Sequence, residues 1–288
     1  MLDVIIDTLI DGVRLVPFLF LAYLAMEYLE HRTGEGAKRL IRWAGSEGRV
    51  HAGPLVGGLL GAVPQCGFSA AASNLYAGRV ITLGTLMAVY LSTSDEMLPI
   101  LISEQAPVRT ILVILLSKAV IGMAAGLVID WVMRRSGRKE ERCIHDICQQ
   151  EHCHCERGIL RSALSHTVKI TLFILLVTFL LNLVLHFVGE DALANLILNR
   201  PVLGPALAGL VGLIPNCAGS VVITQLYLEG AMGLGSALAG LLAGSGVGLL
   251  VLFRTNRDRK ENLRILGLLY GIGVAVGIAV ELLGAVSV

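Results

Sequence analysis

Two long apolar stretches of this chain, 53–78 and 204–229, are each interrupted near the middle by a proline, an amide and a cysteine. The interruptions read Pro64-Gln65-Cys66 and Pro215-Asn216-Cys217. Crossing the hydrocarbon core takes about 20 apolar residues in a helix. Proline removes a main-chain donor and breaks a helix. Irregular backbone at membrane depth survives only when buried in protein or lining a cavity. These two stretches therefore restrict the fold more than any other part of the sequence. Six further apolar stretches, at about 13–30, 80–102, 110–133, 163–188, 231–252 and 263–286, read as spans. Composition agrees. The 288 residues are 55% hydrophobic and only 16% charged, against about 25% charged in soluble domains. A soluble enzyme, a disordered chain and a nucleic-acid binder are excluded, and the lipid bilayer is the expected surrounding. The 33 glycines suit close helix contacts. The first twelve residues carry Asp3, Asp7 and Asp11 with no Lys or Arg, which is not the pattern of a cleavable signal peptide.

Charge orients the spans. Polar loops 32–51, 134–162 and 253–264 hold most of the Lys and Arg, whereas 103–109 and 189–203 hold one Arg each, Arg109 and Arg200. All three basic loops are expected in the cytoplasm. Three apolar stretches separate the first basic loop from the second, and three separate the second from the third. Both ends of each interval can be inside only if an even number cross. The simplest solution makes 53–78 and 204–229 re-entrant hairpins, the first entering from the cytoplasm and the second from outside. Both termini then lie outside the cytoplasmic (inner) membrane.

The two halves align without a gap at an offset of 151. Gly53, Pro54, Gly58, Gly61, Pro64, Cys66, Ser69, Leu75 and Tyr76 face Gly204, Pro205, Gly209, Gly212, Pro215, Cys217, Ser220, Leu226 and Tyr227. Gly84/Gly235, Ser94/Ser245, Gly122/Gly273, Gly126/Gly277 and Asp130/Glu281 continue the match. Three crossings per half is an odd number, so the copies are inverted. The expected fold is an all-α integral membrane protein with two inverted repeats, each of three full spans plus one re-entrant broken-helix hairpin. Residues 1–133 form the first repeat, 134–162 a cytoplasmic Cys/His-rich loop, and 163–288 the second repeat. Inverted repeats with interrupted helices meeting at the midplane are a secondary-transporter architecture.

The interruptions supply the first candidate ligands: Gln65, Cys66, Ser69, Asn216, Cys217 and Ser220. Paired thiols suit a soft ion such as arsenite or a d10 metal; alternatively they are small buried hydrophobes. The run Ser92-Thr93-Ser94-Asp95-Glu96 adds hydroxyls and two carboxylates near the middle of a span, where charge is expensive and usually functional. Its repeat partner keeps Ser245 but loses both acids. Asp95, Glu96 and Lys118 are coupling candidates, and a structural salt bridge from Lys118 to either acid is the alternative. Glu27, Glu30 and His31 are weaker metal candidates, with Glu27 and His31 sharing a helix face. Asp130 and Glu281 read as interfacial helix ends. Cys143, His145, Cys148, His152, Cys153, His154 and Cys155 put seven soft ligands in thirteen residues. That is a metal-binding composition in a spacing that fits no standard zinc finger.

The runs Pro64-Gln65-Cys66-Gly67-Phe68-Ser69-Ala70, Leu91-Ser92-Thr93-Ser94-Asp95-Glu96 and Ile214-Pro215-Asn216-Cys217 resemble the ten-transmembrane heavy-metal exporter family of prokaryotes. So do Val16-Pro17-Phe18-Leu19-Phe20 and Glu27-Tyr28-Leu29-Glu30-His31. Members of that family are labelled arsenic efflux proteins or manganese transporters. The resemblance covers nearly the whole chain except 134–162. It implies ten segments, equal to six spans plus four hairpin halves, and efflux of a toxic or excess metal or metalloid. No cofactor is required; the metal ion is expected as substrate and as the loop's ligand. Carboxylates and amides would also suit manganese. No nucleotide-binding P-loop is visible, so coupling to protons or another ion is expected. An intramembrane enzyme, a metal sensor or channel, and a homo-oligomeric assembly stay open.

Overall fold

The computed structural model describes residues 52–63, 66–94, 97–135, 203–215 and 218–286. It also describes isolated helical residues at 16, 17, 20, 21, 24, 164, 167, 168, 171–173, 175, 176 and 179. Among these residues every regular element is a helix. In chain order they are α1 (Ala52–Gly61), α2 (Cys66–Ala77), α3 (Leu83–Ser92), α4 (Met97–Ser103) and α5 (Val108–Arg135). The second half supplies α6 (Leu203–Gly212), α7 (Ala218–Leu228), α8 (Leu234–Ala243), α9 (Gly248–Thr255) and α10 (Arg259–Val286). Each helix of the first set has its counterpart in the second. Among the described residues three stretches are long and apolar enough to cross a membrane: Val108–Arg135, Leu234–Thr255 (α8 and α9 taken together) and Arg259–Gly284.

The arrangement follows from where apolar surface can be hidden. α5 and α10 leave much of their surface outward, with Leu112, Leu116 and Val120 on one and Leu263, Leu282 and Leu283 on the other exposed. Such faces belong against lipid. α3 and α8 are the reverse: every residue from Gly84 to Ser92 and from Gly235 to Ala243 is buried. Two apolar cores result. One joins Tyr76, Leu86, Tyr90 and Leu91 to Leu249, Leu252, Ile265 and Leu269. The other joins Met97, Leu101 and Ile114 to Val211, Ile223, Leu238 and Leu241. Each core draws on both halves, so the halves are interdigitated rather than laid side by side.

Glycine lets the long helix of each half approach the buried one. A Cβ at Gly84 would overlap the Gly126 carbonyl, and one at Gly235 the Gly277 carbonyl. Small residues at such crossings bring backbones together where lipid offers no hydrophobic drive. The same crossings gather helix ends. A Cβ on Gly126 would sit 3.0 Å from the Pro54 Cβ, and one on Gly277 3.2 Å from the Pro205 Cβ. The starts of α1 and α3 thus share one end of α5, and the starts of α6 and α8 share one end of α10.

Two sequence expectations are corrected. The stretches 80–102 and 231–252 read as continuous spans, yet each is broken. α3 stops at Ser92 before α4 begins at Met97, and α8 stops at Ala243 before α9 begins at Gly248. Hydroxyls turning back onto their own helix accompany the first break: Ser92 Oγ donates to the Ala88 carbonyl (2.7 Å) and Thr93 Oγ1 to the Val89 carbonyl (2.7 Å). Such bonds compete with the helical ladder. In the second, Gly246 takes φ +54, which glycine adopts without steric conflict.

Asp130 and Glu281 are also more than interfacial helix ends. Asp130 is only 5% exposed. It accepts from the Gly84 N–H (2.9 Å) and from Thr82 Oγ1 (2.7 Å), so α5 caps the start of α3. Glu281 accepts from the Ser236 N–H (3.2 Å) at the start of α8. A carboxylate there satisfies orphan donors and meets the positive end of the helix dipole. Asp130→Ala should therefore lower stability by about 1–2 kcal/mol, read as a drop in the detergent melting temperature. An unchanged melting temperature would mean that the cap contributes nothing.

Candidate functional site

The helix breaks converge on one buried region. Gly61, the last residue of α1, has no room for a Cβ against Ser92 Oγ and the Val89 carbonyl, at the break of its own half. Gly212, the last residue of α6, meets the Gly240 carbonyl in the same way. A Cβ on Gly244 would lie 3.6 Å from the Gly212 carbonyl, and one on Gly248 would lie 3.0 Å from Ser69 Oγ. The short segment from Gly244 to Gly248 therefore runs from the end of α6 to the first turns of α2.

Lys118 stands at the centre. It projects from α5 and is 1% exposed. Its ammonium donates to the Thr93 carbonyl and to the Leu241 carbonyl (2.7 Å), which lie at the C-terminal ends of α3 and α8. Unpaired carbonyls at helix C-termini carry partial negative charge, so a cation between two of them is well placed. The contact ties one broken helix of each half to the other. At the position equivalent to Lys118 the second half has Leu269, and at those equivalent to Asp95 and Glu96 it has Gly246 and Val247. Cation and acids are present together in one half and missing together from the other. The partners of Lys118 among the described residues are main-chain carbonyls, and the alternative of a salt bridge to Asp95 or Glu96 falls on residues outside the described ones.

The polar run of the first break is ordered. The Thr93 N–H donates to the Val89 carbonyl (3.0 Å), and Ser94 Oγ donates to the Ser92 carbonyl (3.2 Å). Ser92, Thr93 and Ser94 thus spend their hydroxyl protons on nearby carbonyls. A hydroxyl in that state presents its oxygen lone pairs as acceptors or ligands. At the second break Ser245 is 1% exposed, and its Oγ has no hydrogen-bond partner among the described residues. Ser69 is fully buried on α2, while its counterpart Ser220 on α7 is half-buried.

A second polar group escaped the sequence reading. Ser73 Oγ lies 2.7 Å from Tyr90 Oη, 2.7 Å from the Ser69 carbonyl and 2.8 Å from the Gly248 carbonyl. With its own proton on a carbonyl, it accepts from Tyr90. This joins α2, α3 and the second half's α9. The signal was available: Ser69 and Ser73 are four apart, and Ser220 and Thr224 repeat the pair, with Thr224 Oγ1 donating to the Ser220 carbonyl (2.6 Å).

Other sequence candidates fall elsewhere. Gln65, Asn216, Cys217, Asp95 and Glu96 lie outside the described residues, as do Glu27, Glu30, His31 and the loop cluster from Cys143 to Cys155. Cys66 opens α2, but only its backbone is described. Among the described residues no three His, Cys, Asp or Glu side chains gather into a metal cage.

A family model described as "Putative, 10TM heavy-metal exporter" matches residues 1–188 and 158–287. The chain belongs to this family. It is a multi-pass membrane protein of a family described as heavy-metal exporters, a description that agrees with its apolar helices and with a transporter rather than an enzyme. No curated protein and no solved structure matches the chain.

Proposed function

We propose that this protein is a secondary transporter that moves a heavy-metal or metalloid ion outward across the cytoplasmic membrane. Two inverted repeats alternate access to one central site. The observation that carries the reading is Lys118, a buried ammonium held by the ends of two broken helices, one from each half. Broken helices meeting inside a membrane protein are where transporters bind substrate.

The contacts between helix ends support the finer topology. α1 starts and α3 starts at one end of α5, so the chain enters and leaves the first hairpin on one face. The matching contacts of Pro205 and Gly235 with Gly277 argue the same for the second. Inversion has its own support. Thr82 bonds Asp130 near the C-terminal end of α5, while Arg79, three residues earlier, pairs with Glu261 at the N-terminal end of α10. Equivalent helices α5 and α10 then run in opposite directions. With the basic loops inside, both termini are outside.

The substrate would sit among Cys66, Cys217, Gln65, Asn216, Ser69, Ser220 and the Ser92–Glu96 run with Ser245. Thiols favour a soft ion. The row of hydroxyl oxygens from Ser92 to Ser94 favours a harder one, such as manganese, as the second reading. Asp95 or Glu96 would couple export to protons or another ion, and the loop from Cys143 to Cys155 would capture the ion in the cytoplasm.

The test is the cellular content of arsenic, antimony, zinc, cadmium and manganese by elemental mass spectrometry. Cells would carry the wild type, Cys66→Ser with Cys217→Ser, or Asp95→Asn at matched membrane levels. One soft element depleted by the wild type and restored in both variants is the expected result. Depletion of manganese alone, with the thiol variant active, would select the oxygen site. No change in any element would sink the export reading.

A further inference from the structure

The helix that carries Cys66 and Ser69 at its start ends in a turn that recurs after α7, at the equivalent place in the second half, and after α4, where Gln105 takes the left-handed position. After α2, the Val80 N–H donates to the Leu75 carbonyl (2.8 Å) and the Arg79 N–H to the Tyr76 carbonyl (2.8 Å). After α7, the Ala231 N–H donates to the Leu226 carbonyl (2.9 Å) and the Gly230 N–H to the Tyr227 carbonyl (3.1 Å). This helix ending needs a left-handed residue, usually glycine. The second half uses Gly230 at φ +73; the first half places Arg79 there at φ +55. A side chain is disfavoured in that conformation. Gln105 shares it, but its side chain is exposed and uncharged. The disfavoured backbone at Arg79 goes with a specific contact.

That contact is elaborate. Arg79 Nη1 and Nη2 donate to Glu261 Oε1 (2.9 Å) and Oε2 (2.8 Å). Tyr76 Oη donates to Oε1 (2.7 Å) and Asn256 Nδ2 to Oε2 (2.9 Å). Asn256 Nδ2 also reaches Asn262 Oδ1 (2.8 Å), and the guanidinium stacks over the Tyr76 ring at 5.3 Å. Both charges are about a fifth exposed. The positions equivalent to Arg79 and Glu261 are Gly230 and Thr110, so no ion pair can form at the matching place in the other half. Among the described residues the bolt exists at one end only.

We propose that the Arg79–Glu261 pair is a one-sided gate, holding α2 against the second half on the face opposite Gly230 and releasing it when that face opens. The proposal rests on the alternating-access reading above. A bidentate pair suits a latch, because it is strong when aligned and lost as a unit when the arm moves.

Arg79→Gly tests it cleanly, since glycine is what the second half carries in this turn and relieves the backbone. Glu261→Gln is the second variant, keeping the shape and removing the charge. Full-length protein with Cys66 as its only cysteine would be labelled with a membrane-impermeant maleimide in vesicles of both orientations. Both variants should raise the labelling rate about fivefold from the Arg79 face and not from the other. Wild-type rates from both faces, equal increases from both, or loss of folding in both variants would overturn the gate and leave a static clasp. A one-sided increase in a protein that moves no element in the export assay would support the gate and sink the transport reading instead.

Discussion

Lys118→Met should reduce export to the level of cells lacking the transporter. Its ammonium is 1% exposed and bridges the Thr93 and Leu241 carbonyls, the only described polar link between the ends of α3 and α8. Removing it leaves two buried acceptors, each worth about 1–3 kcal/mol when unsatisfied, and leaves two helix C-termini facing each other with like partial charges. That is a sizeable share of a typical folding free energy of about 5–15 kcal/mol, so export must be compared at matched levels of folded protein. Lys118→Leu copies the residue that the second half uses, Leu269, and should fail in the same way, because Leu269 sits in an apolar core and bridges nothing. Lys118→Arg keeps the charge in a larger fork and should retain part of the activity. Full export by Lys118→Met would sink the view that this cation organises the site.

The first and second halves were legible as copies because Pro, Cys, Tyr and Ser fall in register, and side chains of that kind are not explained by hydropathy. The breaks inside 80–102 and 231–252 were not legible for the complementary reason. Gly244 and Gly246 are ordinary in membrane helices, where they serve packing, and hydroxyls such as Ser92 and Thr93 are tolerated there by bonding back to the helix. The repeat held the missing clue: Thr93-Ser94-Asp95 faces Gly244-Ser245-Gly246, two helix-weakening runs at one position. Asp130 and Glu281 show a different limit. Their place near span ends could be counted from the sequence, but capping a neighbouring helix is a tertiary contact with no local signature. The same holds for the described partners of Lys118, main-chain carbonyls 25 and 123 residues away. No side-chain pattern encodes such partners.

Gly212→Ala should abolish stably folded protein, though it adds a single methyl group. The new Cβ would overlap the Gly240 carbonyl oxygen and lie 2.9 Å from its carbon and 3.1 Å from its Cα. These are backbone atoms inside a buried helix, so no rotamer change relieves the clash. Overpacking usually costs about 1–3 kcal/mol where side chains can yield, and more is expected where only whole helices can. The control lies in the same half. Gly267→Ala and Gly271→Ala on α10 meet nothing within 4 Å, and alanine is the better helix former by about 1 kcal/mol. Both should leave the melting temperature in detergent unchanged or raised. Gly61→Ala should repeat the Gly212 result, since its Cβ meets Ser92 Oγ and the Val89 carbonyl at the first break. The four variants separate close approach from mere loss of glycine. If Gly212→Ala and Gly61→Ala melt like the wild type, the ends of α1 and α6 do not rest on α3 and α8. The convergence of breaks on which the site depends would then be wrong, whatever the export assay gives.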